Sequence, residues 1–367
     1  MTGSHFSLYF YFRGCLRTFA IKIAMAAISL SSLNGKAFFT SGIPDVTIAG
    51  TDGTPKAVTV TCDAYELLNE SLWPVGGFIT LTELGELLEP YARKQLVCSV
   101  TITADSSSAT FTILFARADV GVSAAEFYAG HFLTTLQGPK VTALGRREVL
   151  WYYGSGTASV AAEYGDGTTG TFSATVIGSG STYTCIDVSP SKFTAQDKQL
   201  AAYTVTLGSR SQRFEIDFSG PDCAPILEFY NSFGVWELIY CTGTHQVSPE
   251  YKRSTARIGG LLMSYKIEET RVFKADTGIL NTAMANWAEE LFRSDEVYVV
   301  NVINGNVVSA DGGKLVVITD SKSDISNDDD FMPRFTFSYQ YAQRIQNVMQ
   351  MNRVGRIFDN TFDHTFN

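Results

Sequence analysis

The chain has 367 residues, too many for one ordinary hydrophobic core, so two or three domains are expected. An apolar fraction of 45% against a charged fraction of 18% excludes an intrinsically disordered chain. The formal net charge of −9 argues against a nucleic-acid-binding surface, which needs clustered Lys and Arg opposite phosphates, and is compatible with solubility and a protein partner.

In chain order, Phe6–Phe12 is aromatic, Arg13 and Arg17 are basic, and Phe19–Leu30 is mostly apolar. A secretory signal is the weaker reading, because Lys22 interrupts the apolar run and the aromatic stretch precedes the basic residues. The run is also too short and too charged to span a bilayer. Residues 1–24 are therefore expected to be an upstream extension, with translation starting at Met25. From Ile28 to Val60 apolar and polar residues alternate, broken by Asn34-Gly35, Gly42 and Asp52-Gly53, which supply the positive φ of tight turns. Val58, Val60 and Cys62 repeat with the period of a half-buried strand. Leu81–Arg93 reads as a helix, with Thr82 as its cap and Leu84, Leu87 and Leu88 along one face. Pro90 is expected to end it early. Val97–Thr103 and Ala109–Ala116 read as strands, joined by a turn over Asp105–Ser108. This first, β-rich domain is placed at 25–150.

The second domain, 151–224, reads as a small β-sandwich, because short strands separated by turns recur about every ten residues with no helical period between them. They are Ala158–Tyr164, Gly170–Ile177, Tyr183–Val188, Ala202–Leu207 and Arg213–Phe218. A third domain, 225–345, opens with a hairpin, Ile226–Asn231 and Trp236–Thr242, around Ser232-Phe233-Gly234. Leu261–Val272 is a long strand. Leu280–Phe292 is the clearest helix, capped by Asn281 or Thr282, with Met284, Trp287, Ala288 and Leu291 at helical spacing. Strands Val297–Ile303, Lys314–Asp320 and Phe331–Tyr341 follow, and 346–367 reads as an exposed tail. The fold class is thus mainly β: several β-sandwich domains, then a C-terminal α+β domain carrying one packed helix.

The search for chemistry returns few groups. The six cysteines (15, 62, 98, 185, 223 and 241) form no C-x-x-C pair and read as reduced, mostly buried thiols, as in a protein folded in a reducing cytoplasm. A Cys223–Cys241 disulfide has no local support. His5, His131, His245 and His364 lack metal-ligand spacing. No nucleophile elbow, P-loop or H-E-x-x-H occurs, and Gly154–Gly156 and Gly178–Gly180 read as turns. Asp324, Asp328, Asp329 and Asp330 lack the spacing of a calcium loop and read as a solvated loop. Glu237, Glu268 and Glu269 are candidates for paired glycosidase carboxylates, but separation decides that chemistry, and such charges on strands more often face solvent or an interface. Trp73, Trp151 and Tyr153 are candidate sugar-stacking aromatics, with core packing the stronger reading. No catalytic, cofactor or metal residue is assigned.

Several segments resemble a family of tail proteins from Bacteroidetes phages and prophages. They are FYNSFGVWELIYCTGT (Phe229–Thr244), RIGGLLMSYKIEETRVFKADTGIL (Arg257–Leu280), WAEELFRSDEVYVV (Trp287–Val300) and FTFSYQYA (Phe335–Ala342). In the first domain they are GIPDVTI (Gly42–Ile48), ELLNESLWPVGGFITLTELGELLEPY (Glu66–Tyr91) and TFTIL (Thr110–Leu114). The likeness covers most of Met25–Gln343 and is strongest in the third domain. It implies a place in the tail tip near the tape-measure product, a distal-tail or baseplate-like role, a ring around the tail axis, and no catalytic residues. The expected partners are copies of the chain and other phage tail proteins, in a virion assembled in the host cytoplasm, with no nucleic acid, membrane span or cofactor. Glu268, Glu269, Arg271 and Phe273, alternating charged and apolar on one strand, are candidates for a subunit interface, with ordinary solvent exposure as the alternative reading. The alternatives are a carbohydrate-binding adhesin or receptor-binding protein that contacts a host-surface glycan, and a glycan hydrolase.

Overall fold

The computed structural model describes residues 27–179, 182–219, 223–303, 305–308, 313–326 and 332–344. The expected leader at 1–24, the tail at 346–367 and Asp328–Asp330 lie outside the described residues. The chain is mainly β, with several sheets and few helices.

The first unit runs through β1 (Ile28–Ser29), β2 (Ala37–Phe39), β3 (Val46–Ala49), β4 (Lys56–Cys62), β5 (Tyr65–Leu72) and β6 (Phe78–Leu81). Helix α1 (Leu84–Gln95), β7 (Val97–Ala104), β8 (Ser107–Leu114) and the short helix α2 (Ala124–Gly130) follow. A five-stranded sheet has the order β2-β8-β7-β4-β5, and a three-stranded one β1-β3-β6. The period-two residues Val58, Val60 and Cys62 all point inward, joined in one core by Val100, Ile102 and Phe111. Two-residue turns at Asp63 and Asp105 close the β4–β5 and β7–β8 hairpins with positive φ. Each aspartate also accepts a backbone N–H from a neighbouring strand, Ser99 at 2.9 Å and Ala57 at 3.0 Å.

Two helix expectations are corrected. Glu83, not Thr82, is the residue before the first turn of α1, and no side chain caps it. Pro90 does not end the helix, which continues to Gln95. Pro90 and Glu86, four residues earlier, are both exposed, so water reaches the carbonyl that the proline leaves without its helical donor. Leu84, Leu88 and Ala92 hold the opposite face in the core.

The middle unit is a sandwich of a five-stranded sheet, β12-β11-β15-β16-β9, on a three-stranded one, β10-β14-β13. Its strands are β9 (Lys140–Thr142), β10 (Val149–Tyr153), β11 (Ser159–Tyr164), β12 (Thr169–Ser173), β13 (Thr175–Ser179), β14 (Tyr183–Asp187), β15 (Leu200–Leu207) and β16 (Arg210–Ile216). Tyr152 and Ile186 from one sheet meet Val160, Tyr203, Val205 and Phe214 from the other. Strand β9 lies in the segment that the sequence places in the first unit and β10 straddles the expected boundary at 150, yet they pair with β16 and β14 of the middle unit.

The third unit is a seven-stranded antiparallel sheet of order β18-β17-β21-β24-β25-β20-β19. It comprises β17 (Ile226–Tyr230), β18 (Trp236–Tyr240), β19 (His245–Ile258), β20 (Leu261–Asp276), β21 (Val297–Val300), β24 (Lys314–Lys322) and β25 (Thr336–Tyr341), with β22 (Val302–Ile303) and β23 (Asn306–Val307) as a separate small hairpin. The expected helix runs as α3 (Thr282–Ala288) and α4 (Glu290–Arg293), broken at Glu289. Asn281 caps it by accepting the Met284 N–H at 2.7 Å. Trp287, Ala288 and Leu291 are fully buried against Phe229 and Phe337 of the sheet and Phe335 just before β25.

Candidate functional site

The most prominent surface feature is the β19–β20 hairpin. The two strands pair along their full length, from His245 opposite Ala275 to Ile258 opposite Leu261. The other edge of β20 is paired with β25 only over Phe273–Asp276. From Val272 outward the hairpin therefore leaves the sheet as a two-stranded arm about 36 Å long at the usual strand rise. Gly259 and Gly260, both at positive φ, make its turn.

The arm is apolar at its end and charged along its shaft. Leu261 is 70% exposed, Leu262 69% and Tyr265 68%, and Ile258, Met263 and Ile267 are also open. Ile258 opposes Leu261, and Ala256 opposes Met263, so these four share one face of the tip, while Leu262 lies on the other. On the shaft Glu268 pairs with Lys266 and Glu269 with Arg271. The Lys266 ammonium holds the Glu268 carboxyl below its ordinary range. Such exposed pairs contribute little to stability.

The expected interface set therefore divides. Glu268 is exposed, and Glu269 and Arg271 are half-buried, on the arm but already engaged in ion pairs within it. Phe273 is corrected: it is buried, stacked on Tyr339 at 4.9 Å and beside His245, because it lies where β20 rejoins the sheet. The side chains that most need cover are at the tip, which the sequence reading did not single out. Their alternation breaks at Leu261-Leu262-Met263, where both faces are apolar.

Glu237 belongs to neither solvent nor an interface. It is wholly buried on β18, and its carboxylate accepts the Asn231 side-chain N–H at 2.9 Å and the Trp287 indole N–H at 3.0 Å. Burial pushes its pKa up. Lys140 lies alongside, 2.7 Å from Glu148 and 4.5 Å over the Trp287 ring. Asn231 accepts the N–H groups of Phe233 and Val235 and donates to the Leu133 carbonyl. This network locks β9 of the middle unit to β18 and α3 of the third. Four strands separate β18 from β20 in the sheet order, about 24 Å of sheet, and Glu268 and Glu269 point to opposite faces of their strand. The three carboxylates thus do not form the facing pair that glycoside cleavage requires.

A cleft of about 460 Å³ lies between the first and third units. Much of its charged lining is engaged: Asp295 meets Arg93 at 2.6 Å and Arg117 at 2.5 Å, Arg117 also meets Glu89, and Glu290 accepts the Ser232 N–H at 2.7 Å. Gly234, at φ +74, lets the third unit approach Leu96 and Phe115 of the first, where a Cβ would lie 2.5 Å from Leu96. The cleft is a seam between units.

The remaining candidates are scattered. His131 stacks on Phe127 and His245 contacts the Tyr339 hydroxyl at 2.9 Å, while His5 and His364 lie outside the described residues. Asp324 pairs with Lys322. Trp151 packs edge-on against Trp236 and donates to its carbonyl, and Tyr153 packs on Tyr128 and Tyr183, whereas Trp73 is 68% exposed. The five described cysteines are buried thiols, and Cys223 accepts from Arg146 instead of bridging to Cys241. Among the described residues, no helix is long and apolar enough to cross a membrane. No protein-family model matches the chain, and no curated protein matches it.

Proposed function

We propose that the chain is a non-enzymatic structural component of a bacteriophage tail tip, distal-tail or baseplate-like, that works by binding copies of itself in a ring and neighbouring tail proteins. The observation that carries the reading is the arm. An isolated two-stranded ribbon is marginal in water, and this one ends in exposed leucine, isoleucine and methionine. Covering each such side chain contributes about 1.5–3 kcal/mol, so a neighbour that receives the tip gains several kcal/mol. Strand β19 is also the edge of its sheet, so a row of its backbone groups faces outward and can accept a strand from another subunit. The sequence resemblance supports the same assignment and names the setting, the virion tail.

Mass photometry and negative-stain microscopy of purified protein test this. The wild-type chain forms closed rings as its concentration rises, and the triple variant Ile258→Ser, Leu261→Ser, Met263→Ser stays monomeric with an unchanged circular-dichroism spectrum. Wild-type chains that stay monomeric, or a variant that assembles equally well, contradict the proposal. A receptor-binding role has one observation in its favour, the open indole of Trp73. In that case Trp73→Ala abolishes binding to a host-surface glycan array and leaves assembly intact.

A further inference from the structure

Cys62 closes β4 and Cys98 stands near the start of β7, strands that pair antiparallel with Cys62 opposite Val100. Cys98 is thus diagonal to Cys62, and both side chains are 1% exposed. The next residue, Asp63, takes a left-handed φ of 49°, which turns its carboxylate back over β7, where it accepts the Ser99 N–H at 2.9 Å. The two thiol sulfurs and a carboxylate oxygen of Asp63 all lie within 4.8 Å of one another. The side-chain oxygen of Gln95, at the end of α1, is 3.8 Å from the Cys98 sulfur.

We propose that Cys62, Asp63 and Cys98 bind one thiophilic divalent cation of the zinc class, with the Gln95 amide oxygen or a water as fourth ligand. Tetrahedral zinc, with bonds of about 2.3 Å to sulfur and 2.0 Å to oxygen, needs its ligand atoms about 3.5–3.8 Å apart, so the three groups close by at most about 1.3 Å. Two sulfur donors select zinc or cadmium over calcium or magnesium. A disulfide fits the backbone less well. Diagonal partners have Cα atoms about 7–8 Å apart, beyond the usual disulfide range of about 4.4–6.8 Å, whereas a bridging cation spans that gap. Asp63 and Gln95 are exposed, so solvent reaches the mouth of the site while the sulfurs form its floor. A free thiol, with an ordinary pKa of about 8.5, carries its proton at neutral pH and gives it up to bind a metal. Binding therefore releases two protons to solvent and leaves two thiolates and one carboxylate around a dication. The site lies in the first unit and stands or falls independently of the arm.

The test is titration of the full-length, reduced and chelator-treated protein with cobalt(II), followed by zinc(II). One cobalt per chain binds with a sulfur-to-cobalt charge-transfer band that zinc bleaches. The band disappears in Cys62→Ala and in Cys98→Ala and persists in Cys185→Ala. Because buried cysteine variants can misfold, Asp63→Asn is the second arm. Asparagine tolerates the left-handed turn and keeps the fold, and cobalt affinity falls at least about tenfold. No charge-transfer band in the wild type, a band retained in both Cys62→Ala and Cys98→Ala, or unchanged affinity in Asp63→Asn overturns the proposal.

Discussion

Glu237 is a carboxylate held where a charge is costly, and its partners decide what its loss does. Glu237→Ala leaves the Asn231 amide and the Trp287 indole N–H without their acceptor inside the core, a loss of about 3 kcal/mol that urea unfolding followed by tryptophan fluorescence detects. The pH dependence runs the other way from that of most acids. The folded pKa of Glu237 is raised above its ordinary value of 4.5, so its contribution to stability is complete below pH 4.5 and is lost as pH rises through the raised folded value. Glu237→Gln keeps an acceptor oxygen and cannot ionise. Its urea midpoint falls less than that of the wild type as pH rises, and a parallel fall in both proteins contradicts the assignment. Gly234 is the other residue whose role is purely geometric. Gly234→Ala meets both a positive φ and a Cβ contact with Leu96, and costs about 2 kcal/mol in the same assay.

At the scale of elements, legibility in the sequence follows burial. Strands β4 and β7 are readable because one face of each is in the core, and the alternation at Val58, Val60 and Cys62 records it. Helix α3 is readable from Met284, Trp287, Ala288 and Leu291 for the same reason. Strand β19 is not readable: after His245 and Val247, which pack at the sheet, it runs through Ser-Pro-Glu-Tyr-Lys-Arg with neither face covered, so no period marks it, and Pro249 is tolerated because the strand is an edge. Pro90 misleads as a helix breaker because the sequence does not show that this side of α1 faces water. Pro90→Ala therefore restores a backbone hydrogen bond without disturbing the core and raises the thermal midpoint, with a gain of about 2 kcal/mol. Partnership was the least legible feature. Nothing local says that β9 joins the middle sheets, that Cys62 and Cys98 meet across 36 residues, or that Asn231 and Glu237 share a buried network. Those contacts are created by strand pairing. The charges of Glu268, Glu269 and Arg271 are visible as a pattern, but only the structure shows that Glu268 pairs with Lys266, that Glu269 pairs with Arg271, and that Phe273 is in the core.

For the molecule as a whole, three packed units carry one long projection that makes few contacts with any of them. Lys252, Arg253, Arg257 and Lys266 lie on that arm, so brief trypsin treatment of the monomer cuts there first and leaves the three cores joined. First cuts inside the middle sandwich contradict the arm's isolation. The network around Glu237 and the ion pairs of Asp295 tie the third unit to its neighbours, so a load on the arm is passed to β9, α3 and the first unit through defined side chains. The central claim is that a neighbouring subunit covers the arm. Hydrogen–deuterium exchange on dilute monomer and on assembled protein measures this directly: amides of Glu250–Thr270 exchange rapidly in the monomer and become protected on assembly. Assemblies in which that segment exchanges as fast as in the monomer contradict the claim.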